Sequence, residues 1–118
     1  MSARILVVED EYFIAQEIAE ALESAGYRVV GPCPKVADAL AILAGADPCD
    51  AAVLDASLRG ASSLPVCEAL GERGIPFVVV TGFSPDQLPP PMAAATVLAK
   101  PLDPEALASA LRAAMAGE

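Results

Sequence analysis

Four short apolar runs each end at a residue able to do chemistry. Ile5–Val8 runs into Glu9 and Asp10, Ala51–Leu54 into Asp55, Phe77–Val80 into Thr81, and Thr96–Ala99 into Lys100. Brought together, these side chains would make an oxygen-rich pocket with one ammonium. Clustered carboxylates repel one another, and alone at least one would hold a proton. A hard divalent cation removes that repulsion, and Mg2+ accepts oxygen ligands while keeping several waters. A carboxylate in such a place can attack phosphorus, because carboxylates form acyl phosphates. Asp55 is the candidate nucleophile. Lys100 and the metal would offset charge on the transferring group, and Thr81 would hydrogen-bond one of its oxygens.

The elements that must position these residues are legible in the periodicity. The continuous apolar runs suit parallel strands buried on both faces. Between the first two strands, Ile14, Ile18, Leu22 and Ala25 recur at helical spacing, with Glu17, Glu20 and Glu23 on the other side and Gly26 as a stop. Tyr27 to Gly31 reads as the second strand, and Val36, Leu40 and Leu43 mark a second helix ending near Gly45. Ser57 to Ser63 reads as a loop, with Ser63 as the cap of a third helix that turns Val66, Cys67 and Leu70 inward and closes at Gly74. Prolines 85, 89, 90 and 91 make any fourth helix short or absent. Asp103 and Pro104 begin the last helix, whose stripe is Leu107, Leu111 and Ala114. Five strands alternating with helices predict an α/β fold, a flavodoxin-like doubly wound parallel sheet of order 2-1-3-4-5. In such sheets ligands bind beyond the carboxyl ends of the strands where the order reverses, and that edge carries the acids, the hydroxyl and the ammonium.

Composition narrows the function. The 118 residues fit a single domain over 1–118. A net charge of −9 and scattered Lys and Arg argue against nucleic-acid binding. Cys33, Cys49 and Cys67 have no metal-ligand spacing, there is no histidine, and three reduced thiols are expected. No run approaches the roughly 18 apolar residues of a membrane span, and the start lacks the pattern of a signal peptide. A cytoplasmic protein is expected.

The run Ile5 to Glu11 (ILVVEDE), the lone Asp55, Thr81 and Lys100-Pro101, in that order and at these spacings, resemble the receiver domains of bacterial response regulators over essentially the whole chain. The resemblance implies that Asp10 and Asp55 ligate Mg2+ directly, that Glu9 acts through water, and that the carbonyl of Ser57 is the backbone ligand. It also implies a cis peptide before Pro101. Asp55 would take a phosphoryl group from a histidine kinase or phosphotransfer protein, and Thr81 would move toward it in a two-state shift. The chain would catalyse only its own phosphorylation and dephosphorylation, as a monomer or weak dimer. With no effector domain after residue 118, a stand-alone regulator would signal by binding a downstream protein. More narrowly, Pro76–Phe83 (PFVVVTGF) resembles the PFxFATGY signature of the FAT GUY receivers, many of them stand-alone regulators in alphaproteobacterial stress signalling. Val97 stands where typical receivers carry an aromatic switch residue, and Arg59 where many have proline.

Blander readings exist for each residue. Glu9-Asp10 could be a solvated first turn, Asp55 or Thr81 a turn residue, and Lys100 a surface lysine. Phe83 could shade an acyl phosphate or merely pack beside it. Glu17, Glu20, Glu23, Glu68 and Glu72 read as wet helix faces. Two other functions compete. A pseudo-receiver would bind partners without phosphorylation, against which the full residue set argues. A metal-dependent phosphohydrolase would want a second acid where Ser57 stands, and a cap domain.

Overall fold

The computed structural model describes residues 2–117, apart from the Pro85 side chain. Its strands are β1 (Arg4–Val8), β2 (Arg28–Cys33), β3 (Ala51–Asp55), β4 (Ser57–Leu58), β5 (Ala61–Ser62), β6 (Phe77–Thr81) and β7 (Thr96–Ala99). Its α-helices are α1 (Tyr12–Ser24), α2 (Val36–Leu43), α3 (Leu64–Glu72), α4 (Pro90–Ala93) and α5 (Pro104–Met115). The main sheet is parallel in the order β2-β1-β3-β6-β7, while β4 and β5 form a separate antiparallel pair. This is the flavodoxin-like doubly wound architecture that the alternation predicts.

Strand periodicity splits the apolar runs into two cores. Leu6, Val8, Ala52, Leu54 and Val79 pack on one face with Ala39 and Leu43 of α2 and Val66 and Leu70 of α3. Ile5, Val7, Ala51, Val53, Val78 and Val80 pack on the other with Ile18 and Leu22 of α1 and Leu107 and Leu111 of α5. Every residue of β3 is buried. The central strand thus delivers its last residue, Asp55, to a fixed place at the carboxyl edge.

Several local readings need correction. Ser63 occupies the N-cap position of α3, but its side chain makes no capping bond; the hydroxyl of Ser62 accepts the Leu64 N–H instead, at 3.1 Å. The Ser57–Ser63 stretch is not all loop, because it holds the β4–β5 pair. β2 continues past Gly31 to Cys33, since the chain bulges there: the register with β1 slips between Leu6 and Val8. Gly31 has φ 95°, and a Cβ on it would lie 2.9 Å from the Cys33 nitrogen. The bulge sends the Cys33 carbonyl to the Glu9 N–H at 3.0 Å, tying down the residue that follows β1. Ala25 lies at the exposed C-cap of α1, not on its buried stripe. The proline-rich stretch is a 3-10 turn at Pro85–Gln87 followed by four residues of α4, anchored by the buried Met92. Asp103 caps α5, its Oδ1 accepting the N–H groups of Glu105 and Ala106. The Lys100-Pro101 peptide is cis, as expected, and so is Gly31-Pro32.

Candidate functional site

The direction in which successive strands are added to the parallel sheet reverses between β1 and β3, and the expected residues converge at the carboxyl edge there. Asp55 ends β3, 7% exposed, and Glu9 follows β1, 2% exposed. Lys100 follows β7 and reaches across β6. Its Nζ lies 2.7 Å from Asp55 Oδ2 and 3.2 Å from Glu9 Oε1. The β6–β7 register makes this reach possible, because Thr81 pairs with Ala99 and the Thr81 carbonyl accepts the Lys100 N–H at 2.9 Å. Asp10 forms no ion pair with Lys100, but one carboxylate oxygen from each of Glu9, Asp10 and Asp55 lies within 4.8 Å of the others.

Backbone amides fix the acids. Glu9 Oε2 accepts the Glu11 N–H at 3.2 Å, Asp55 Oδ1 the Ser57 N–H at 3.1 Å, and Asp10 Oδ2 the Arg59 N–H at 3.0 Å. The contact seen between Ser57 and the acceptor is therefore made by its amide. Thr81 is fully buried at the end of β6, one strand from Asp55, and its Oγ1 accepts the Phe83 N–H at 3.0 Å. Phe83 itself is half exposed, and the acids Glu17, Glu20, Glu23, Glu68 and Glu72 all face solvent.

The electrostatics are those of an overcrowded carboxylate site. Burial, and then the charge of Asp55, raise the Glu9 carboxyl from 4.5 to about 7. Desolvation works to lower the Lys100 ammonium, but its hydrogen bond to Asp55 and the attraction of Asp55 and Glu9 outweigh it and raise its pKa. One ammonium cannot balance this many acids. Glu9 Oε1 is buried and has no hydrogen-bond partner, since its approach to Lys100 is an ion pair without hydrogen-bond geometry. A buried carboxylate oxygen with an ion pair but no hydrogen bond, among all-oxygen donors, fits a hard divalent cation.

Sequence reasoning missed the amides of Glu11 and Arg59. Gly60 was the only signal of a turn near Arg59, and nothing in the sequence ties that turn to Asp10.

The response regulator receiver domain family matches residues 5–112, and the chain belongs to this family of signalling modules. No curated protein matches it. Among solved structures, it is similar to the solution structure of SdrG from Sphingomonas melonis Fr1, with 41% identity, a TM-score of 0.82, and 98% of this chain and 97% of that chain covered. The BeF3-activated conformation of SdrG, from Pseudomonas melonis Fr1, gives 43% identity and a TM-score of 0.78 over 98% and 99%. The response regulator PhyR from Brucella abortus gives 27% identity and a TM-score of 0.84, with 99% of this chain against 49% of that one. No helix of the described residues is long and apolar enough to cross a membrane.

Proposed function

We propose that residues 1–118 act as one phosphoryl-accepting receiver unit of the SdrG kind, with Asp55 as acceptor. The carrying observation is the Asp55–Lys100 contact at 2.7 Å inside a carboxylate cluster that holds a buried oxygen without a hydrogen bond. A histidine kinase or phosphotransfer protein presents a phosphohistidine. An Asp55 oxygen attacks phosphorus, the P–N bond breaks, and the imidazole leaves with the bonding pair. Lys100 binds an oxygen of the incoming group, and the Thr81 hydroxyl donates to another. Glu9, Asp10, Asp55 and the Ser57 carbonyl would hold Mg2+. When bound, the metal supplies charge neutralisation for the phosphoryl oxygens. Water attacking the same phosphorus returns the free carboxylate, so the chain turns over its own modification and acts as a signalling module, not as an enzyme on a separate substrate.

Output is binding of a downstream protein. The BeF3-activated form of SdrG, matched along nearly its whole length, supports a conformational response to a phosphoryl mimic. Membership of the FAT GUY group is supported by the short α4 and by Val97 in place of an aromatic.

A beryllofluoride titration followed by amide NMR tests this reading. Saturable, Mg2+-dependent shifts around Asp55, Thr81 and Lys100 that vanish in Asp55→Asn are expected. Absence of any response in the wild type would favour the pseudo-receiver, whose partner binding would be unchanged by Asp55→Asn.

A further inference from the structure

Arg59 has φ 51° and is the only non-glycine residue with positive φ among the described residues. Gly60 follows at φ 81°, and the two form the whole loop between paired β4 and β5. Consecutive left-handed residues in a two-residue loop make a type I′ hairpin turn, which favours Asn or Asp at its first position. Arginine resists that conformation because its Cβ crowds the following carbonyl. Leu58, one residue earlier, is anchored in the core, 3% exposed. The Arg59 side chain is exposed, so it is the backbone that the turn places.

The placed group is an amide. Arg59 N–H donates to Asp10 Oδ2 at 3.0 Å, linking the hairpin tip to the loop after β1. At the base of the hairpin, Ser57 N–H donates to Asp55 Oδ1 at 3.1 Å. One small hairpin therefore grips two carboxylates from two strand ends, and each keeps its second oxygen clear of the hairpin's amides. A proline at position 59, as many receivers have, could not donate this bond.

We infer that the Arg59–Gly60 turn is a positioning device for the acid cluster. Its amide holds Asp10 in register with Glu9 and Asp55 before a cation arrives, and divalent-cation affinity depends on that amide and not on the arginine side chain. The inference rests on the receiver reading only in assigning a cation to these acids.

Mg2+ affinity measured by titration calorimetry, beside thermal unfolding, tests it in three variants. Arg59→Gly and Arg59→Asn keep the amide and suit the turn; both are expected to unfold at higher temperature than the wild type and to bind Mg2+ within about twofold of it. Arg59→Pro lacks the amide and, with φ fixed at about −65°, cannot hold the turn either; it is expected to bind at least about tenfold more weakly, because Asp10 must then be ordered as the cation binds. Wild-type affinity in a folded Arg59→Pro variant overturns the inference, as does an equal loss in Arg59→Gly. Should Arg59→Pro not fold, hydrogen exchange in Mg2+-free wild type decides. The Arg59 amide is expected to be protected, and protection to fall at least tenfold in Asp10→Ala; unchanged exchange overturns the inference. No Mg2+ binding by the wild type would sink the receiver reading as well, whereas Mg2+-dependent beryllofluoride binding with unchanged affinity in Arg59→Pro sinks the turn alone.

Discussion

Replacing Glu9 with glutamine, in the absence of divalent cations, should stabilise the protein at neutral pH and leave it unaffected in acid. Glu9 is buried, faces the Asp55 charge and has one oxygen without a hydrogen bond, and its carboxyl is raised from 4.5 to about 7. Between those values the folded chain holds a proton that the unfolded chain has released, so stability falls as pH rises through this window and the loss is complete above it. At about 1.4 kcal/mol per pH unit, the cost at pH 8 is about 3 kcal/mol. In a domain of this size that is a melting difference on the order of 10 °C. Glutamine preserves the shape and cannot ionise. The assay is thermal unfolding of wild type and Glu9→Gln in EDTA from pH 5 to pH 8. The two melting curves should lie closest at pH 5 and diverge toward pH 8, with the variant higher. Mg2+ should raise the wild type more at pH 8 than at pH 5, because there it meets an ionised Glu9. Parallel pH profiles for the two proteins would refute the reasoning.

Other consequences concern the rest of the molecule. Lys100→Met keeps the aliphatic stem but removes the ammonium from Asp55 and Glu9; phosphorylation by a small acyl-phosphate donor should slow by about 10²–10³-fold, while Mg2+ binding, measured by calorimetry, should not weaken. Arg73 donates to the carbonyls of Leu43, Gly45 and Ala46 at the end of α2. Arg73→Ala should cost about 1–2 kcal/mol in urea unfolding without changing Mg2+ affinity. Burial pushes the Cys67 thiol up to about 11, and Cys33 and Cys49 are raised and buried too. A disulfide reagent at pH 8 should therefore leave all of these thiols unmodified until denaturant is added.

Much of the architecture was readable because physics overdetermined it. Ala51–Leu54 is apolar throughout, as a strand covered on both faces must be, so the acid that ends it marks the sheet edge. Four prolines between Ser84 and Met92 foretold the four-residue α4. Asp103 before Pro104 foretold a cap that the structure bears out. What was hidden depends on backbone conformation. Ser63 has the side chain of a cap, yet the hydroxyl of Ser62 takes the bond. Arg59 gave no sign of a left-handed turn, since arginine is disfavoured in that conformation. Nor could the sequence distinguish two neighbouring acids. Glu9 is buried against Lys100, whereas Asp10 is half-buried and bonded to the hairpin. The bulge at Gly31, which ties the Glu9 amide to Cys33, sits far from the acids in sequence.

The most direct test of the central claim is intact mass after incubation with Mg2+ and a small acyl-phosphate donor, followed by tandem mass spectrometry. The wild type should gain one phosphoryl group, roughly 80 Da, located on Asp55, abolished by EDTA and absent from Asp55→Asn. A gain that survives in Asp55→Asn, or that maps to another residue, would contradict the account.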